Sequence, residues 1–160
     1  MQSWQVLPVI LVVGVFAVSF AMRGKLRQKA AAMYSGAMDA FRAEVGAGRA
    51  ADEVDPIFLV ATHRKLLSAT IYYVGVTNRR FALKPAGGAT QVFDRRTVQL
   101  AIKQKTFTDV GNMQTTISHG WELAVVLPDG TRQAWRVYDH AEGIADHGAH
   151  VRALVAALGG

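Results

Sequence analysis

The chain has 160 residues, 51% of them hydrophobic, with a net charge of +6 and no cysteine. That length suits one modest domain beside an anchor. Without cysteine there is no disulfide framework, thiolate zinc site, iron–sulfur cluster or thiol nucleophile.

The charge is segregated along the chain: residues 1–29 carry +4, 30–63 carry −3, 64–136 carry +7 and 137–160 carry −2. Two basic zones flank an acidic connector. Basic zones of this kind face anionic lipid, nucleic acid or an acidic partner.

From Ser3 to Met22 twenty residues pass without a charge. As a helix this run spans about 30 Å, the hydrocarbon thickness of a bilayer. Trp4 stands where an interfacial aromatic stands, and Pro8 falls in the first turns, where a missing N–H costs least. A cleaved signal peptide would need a charged leading segment and a small-residue cleavage site, and neither is present. The run therefore predicts a single transmembrane anchor over residues 1–22. Arg23, Lys25, Arg27 and Lys29 follow at once. By the positive-inside rule they place the N-terminus outside and the rest of the chain in the cytoplasm, at the cell inner or plasma membrane. They can also pair with anionic headgroups.

Residues 23–48 continue as helix. Leu26, Ala30, Met33, Tyr34, Ala37, Met38, Phe41 and Val45 step by three or four and form an apolar stripe. Leu26, Met33, Met38, Phe41 and Val45 are the candidate partner-docking residues. The stripe could bury on the chain's own domain, on the membrane surface or on a neighbouring subunit. Gly46 and Gly48 end the helix, and a polar linker runs to residue 55.

Pro56 is expected to start a short helix through Ile57–His63. Beyond it the texture is β: Ala69–Val76, Phe81–Lys84, Gln91–Phe93, Thr97–Gln104, Thr106–Val110, Gln114–Ser118, Trp121–Leu127 and Thr131–Tyr138. Turns are expected at Asn78-Arg79-Arg80, Pro85-Ala-Gly-Gly, Gly111-Asn112 and Pro128-Asp129-Gly130. About seven short strands with no helix between them predict an antiparallel sandwich or small barrel. A closing helix carries Ile144, Val151, Leu154, Val155 and Leu158 on one face and can plug one open end. The fold class is thus α+β: anchor, amphipathic helix and linker (23–55), and a β domain with a C-terminal helix (56–160).

Within that domain, Tyr72-Tyr73-Val74-Gly75-Val76-Thr77-Asn78-Arg79-Arg80-Phe81-Ala82-Leu83 resembles the first hairpin of the bacterial PH-like (pleckstrin-homology-like) domains. There, an apolar strand runs into Thr, Asn or Asp, any residue, Arg, and a second apolar strand. The resemblance covers residues of about 60–158. It implies an interaction module, often beside transmembrane segments, with no catalytic site to carry over. The long helix between anchor and domain lies outside the family pattern. In the motif, Thr77 and Asn78 are expected to bond the turn backbone, and the following Arg to project from the next strand.

Other chemistry finds little footing. His140, His147 and His150 would lie within about 80° of one another on a helix, near Asp139 and Asp146. Their spacing matches no strong metal motif, and they read as solvated helix histidines. There is no nucleophile elbow, phosphate loop or metalloprotease helix, and the carboxylates are scattered. The chain is expected to be non-catalytic, without cofactor or metal. Arg79, Arg80, Lys84, Arg95 and Arg96, with Lys103 and Lys105, lie in the early hairpins. They form either a headgroup-binding patch or a solvated basic face. Nucleic acid is not an expected partner, because no aromatic–basic interleaving is present. Two functions remain: an accessory subunit docked on other membrane protein subunits, or a free tethered module that binds anionic lipids or a signalling partner.

Overall fold

The computed structural model describes the backbone of residues 6–64, 68–111 and 114–159, and the side chains of 24–159 apart from 27, 65–67 and 111–114. The anchor expectation on residues 1–22 falls on side chains outside the described residues, as do the side chains of Arg23 and Arg27. Among the described residues, no helix is long and apolar enough to cross a membrane.

The first element is one unbroken helix, α1 (Val6–Gly46), of 41 residues. Gly48, at φ 75°, takes the left-handed turn that follows. Seven strands come next: β1 (Ile57–Arg64), β2 (Ala69–Val76), β3 (Arg80–Pro85), β4 (Gln91–Asp94), β5 (Gln99–Gly111), β6 (Gln114–Val126) and β7 (Arg132–Val137). Helix α2 (His147–Ala157) closes the chain.

The strands form one sheet in the order β4-β3-β2-β1-β7-β6-β5, and every pairing is antiparallel. It consists of two meanders, β1–β4 and β5–β7. They meet where β1 pairs with β7 at a single register position, Thr62↔Arg136. The main core lies between the meanders. Leu59, Ala61, Val74, Phe81, Leu83, Leu123, Val125, Trp135 and Val137 fill it, with Val151 and Leu154 from α2.

A second core lies on the other face of the first meander. Met38, Phe41 and Val45 of α1 pack there against Phe58, Tyr73, Ala82 and Ile144. The Phe41 ring meets Phe58 edge-on at 5.9 Å and Tyr73 at 6.2 Å. Gly75 makes room for it: a Cβ there would lie 3.3 Å from the Phe58 ring and 3.5 Å from the Phe41 ring. The first meander is thus covered on both sides.

That double cover explains a correction. Residues 57–63 are strand β1, not a short helix. Leu59 and Ala61 point into the main core, while Phe58 belongs to the second and Val60 packs against it. With both faces buried, the alternation that marks a strand disappears from the sequence, leaving an apolar run that reads equally as helix. A second correction concerns β5 and β6. Each is one strand of 13 residues, where breaks were expected near Lys105 and His119-Gly120. Gly120 is a point of close approach, since a Cβ there would lie 2.7 Å from the Val137 carbonyl oxygen.

Candidate functional site

The sequence placed function on two surfaces, the stripe of α1 and the basic hairpin. They meet at the junction of α1, the linker and β2–β3.

Met38, Phe41 and Val45 are buried against the chain's own sheet. Their expected role in docking a partner is therefore corrected, because their surface is already covered. Leu26 and Met33 remain 65% and 64% exposed. They are seven residues apart and so share one face of the helix. The stripe has divided: its far half fastens the domain, and its near half is open.

The hairpin motif acts as a clasp. The Thr77 hydroxyl accepts from the amides of Arg79 (3.1 Å) and Arg80 (2.8 Å), and donates to Glu53 Oε1 at 2.5 Å. Asn78 does not bond its own turn; its Oδ1 accepts from the Val54 amide at 3.2 Å. Arg80 turns inward, and its Nε donates to Glu53 Oε1 at 2.8 Å. Glu53 also accepts from the Ala50 amide at 3.3 Å. The Arg80 guanidinium, with Thr77 and that amide, holds the Glu53 carboxyl down at about 2 despite its burial. The motif therefore pins the linker to the sheet.

The remaining basic residues are also engaged. Arg79 pairs with Asp52. Lys84 pairs with Glu44 of α1 at 2.6 Å, and this bond, with one from Thr90, lowers the Glu44 carboxyl. Arg95 donates to the Val98 carbonyl at 2.8 Å. Lys103 and Lys105 share Glu122, and Arg64 and Arg136 share Asp109. Arg96 is exposed beside Arg79 and Asp94, with only its backbone amide bonded, to Asp94 Oδ1. The expected basic patch is corrected accordingly: the acidic connector folds onto it and neutralises Arg79, Arg80 and Lys84.

The sequence reading missed the histidines. His147 is 1% exposed, and His150 packs edge-on to Phe58 at 6.2 Å. Neither is a solvated helix residue. The one available signal was their i, i+3 spacing, which puts both on the side of α2 that carries Val151 and Leu154. His140 is exposed and precedes α2. Among the described residues, no group of three or more His, Asp or Glu is arranged to hold a metal.

Two hollows border this junction. One of about 170 Å³ lies under Tyr34, between Val60, Ile71 and Tyr138. Another of about 360 Å³ runs between Val54, Ile57, Leu154 and Leu158. The first is below the usual size of a small-molecule site and the second is at its lower limit. Comparison with protein-family models, with curated proteins and with solved structures finds no match.

Proposed function

We propose that this chain is a non-catalytic, single-pass membrane protein that serves as an accessory subunit of a larger membrane complex. In this reading Ser3–Met22 spans the membrane with the N-terminus outside, and a PH-like β domain sits on its cytoplasmic side. The observation that carries the reading is the continuity of α1. From Val6 onward, the uncharged run and the segment docked on the sheet belong to one 41-residue helix. The domain is therefore held on a stiff stalk, with the exposed Leu26 between bilayer and domain and the exposed Met33 on the stalk beside the Gly143 loop. Partner helices would reach them there. The division into β1–β4 and β5–β7 with a C-terminal helix supports the PH-like reading of the domain.

The same continuity weighs against a module that reads lipid headgroups with its hairpin. Glu44, which holds Lys84, lies on the order of 33 Å along the helix from Met22. Charge attraction in salt fades within about 8–10 Å. A tilt of about 20° changes the height little. The basic residues that remain near the bilayer are Arg23, Lys25, Arg27 and Lys29.

The test is purification in mild detergent. The account expects large membrane proteins to co-purify in fixed stoichiometry, and Leu26→Gln with Met33→Gln to abolish this while the domain stays folded. A chain that migrates alone and binds anionic liposomes through Arg95 and Arg96 overturns it.

A further inference from the structure

Strand β1 is paired with β2 along its whole length, but β7 reaches it only at Thr62. By the two-residue period of a strand, Phe58, Val60 and Thr62 present their amides to the same edge. Beyond Thr62 that edge has no strand partner, and α2 covers it. A buried amide left there without an acceptor would be costly.

Two imidazoles supply the acceptors. His147 Nε2 accepts from the Val60 amide at 2.8 Å, and His150 Nδ1 accepts from the Phe58 amide at 3.4 Å. A ring nitrogen accepts only when it carries no proton. His147 therefore holds its proton on Nδ1, which is buried without a partner in full hydrogen-bond geometry and has the Tyr138 carbonyl on its side. His150 holds its proton on Nε2, which donates to Asp146 Oδ2 at 3.0 Å. Both carboxylate oxygens of Asp146 accept from Arg42 Nη2 of α1 at 2.9 Å. The Arg42 guanidinium lies 5.4 Å from the Phe58 ring centre. One chain of contacts thus runs from the β1 edge through α2 to the stalk.

We propose that α2 is a proton-released latch: protonation of His147 breaks its bond to β1, frees α2 from the sheet and loosens the Asp146–Arg42 strut that ties the stalk to the domain. A second proton on His147 would sit on Nε2 and aim at the Val60 N–H, donor against donor. Burial outweighs what the surroundings offer in favour of the charge. The backbones of Val60 on β1 and of Tyr138, just past β7, both favour the charged ring. His150 on α2 disfavours the charge, Asp146 favours it, and Arg42 on α1 already claims Asp146.

Burial pushes His147 below its ordinary value of 6.5. The folded form thus prefers the neutral ring, and its contribution to stability is complete above about 6.5. That contribution falls as the pH drops below this value, with latch opening rising about tenfold per pH unit until the folded value is reached. The site is accordingly closed at neutral pH and loosened in mild acid.

The test uses the full-length chain in detergent. At neutral pH, imidazole nitrogen–proton correlation spectra should show a bare Nε2 on His147 and a bare Nδ1 on His150. A proton on His147 Nε2 overturns the proposal. Amide exchange corrected for intrinsic rate should show protection of Val60 and α2 falling as the pH is stepped below 6.5, by up to about tenfold per pH unit. His147→Gln, whose side-chain oxygen can reach the place of Nε2 without titrating, should abolish that fall. Unchanged protection in the wild type, or an equal fall in His147→Gln, overturns the proposal. If His147→Gln does not fold, the wild-type tautomer and exchange decide.

Discussion

Replacing Phe41 by alanine isolates what fastens the stalk to the sheet. The ring is fully buried between Phe58, Tyr73 and Gly75. Burial of an aromatic side chain of this size, roughly 150–200 Å², is worth about 4 kcal/mol. Measured Phe→Ala costs in cores, about 3–5 kcal/mol, agree. Helix α1 is held by this ring, Met38, Val45, and the pairs to Asp146 and Lys84. Loss of about 4 kcal/mol therefore raises undocking by roughly a thousandfold. The main core draws on other residues, so the β domain should survive. Trypsin cleavage at Arg49 in the linker reports undocking. Trp135 emission, read with Trp4 and Trp121 replaced by phenylalanine, reports the β domain. The expected result is faster cleavage at Arg49 with Trp135 unchanged. Joint loss of both signals would refute the reasoning, because α1 would then be part of the β domain's own folding unit. Unchanged cleavage would refute it equally. As a check, Gly75→Ala should cost less in Phe41→Ala than in the wild type, by at least about 0.5 kcal/mol, since the two side chains compete for one space.

Other outcomes follow from single contacts. Glu53→Gln removes the charge that Arg80 answers from within the clasp, and should destabilise the domain by about 3 kcal/mol in denaturant titration. The Glu53 carboxyl lies at about 2 against an ordinary 4.5, so its contribution holds above 4.5 and is lost as pH falls through about 2. Acid unfolding of Glu53→Gln should be flatter across that window. Gly120→Ala forces a Cβ against the Val137 carbonyl and should lower stability by about 1–3 kcal/mol. Gly143→Ala sets a side chain at φ 78° and against the Ala31 carbonyl. Amide exchange should show it loosening α1 around residue 31 while the main core stays protected.

Much of the architecture is legible in the sequence where residue type marks the element, as where Ile, Tyr and Val crowd a strand or glycine closes a helix or turn. Ala69–Val76 matches β2 residue for residue, and the stop of α1 at Gly46-Gly48 and the turn at Gly130 fall as expected. Reading fails where double cover meets a helix-start signal such as Pro56, or where partners are distant. β1 looks helical because both its faces are buried. Gly120 looks like a break between strands because the carbonyl that needs the space lies on another strand. The basic hairpin looks free because Glu44, Asp52 and Glu53 precede their basic partners by 27 to 40 residues. His147 looks solvated because its acceptor role depends on β7 leaving β1 after one pair, which no local pattern encodes.

The central claim is that one continuous helix carries the domain clear of the bilayer. The chain has no cysteine, so single thiols can be placed at will. Leu26→Cys and Arg96→Cys, each labelled with a donor dye, should be measured against acceptor-labelled lipid headgroups in nanodiscs. The account predicts strong transfer from position 26, about 6 Å beyond Met22, and weak transfer from position 96, in the β domain whose Lys84 pairs with Glu44 about 27 Å farther along the helix. Equal transfer from both positions would contradict it.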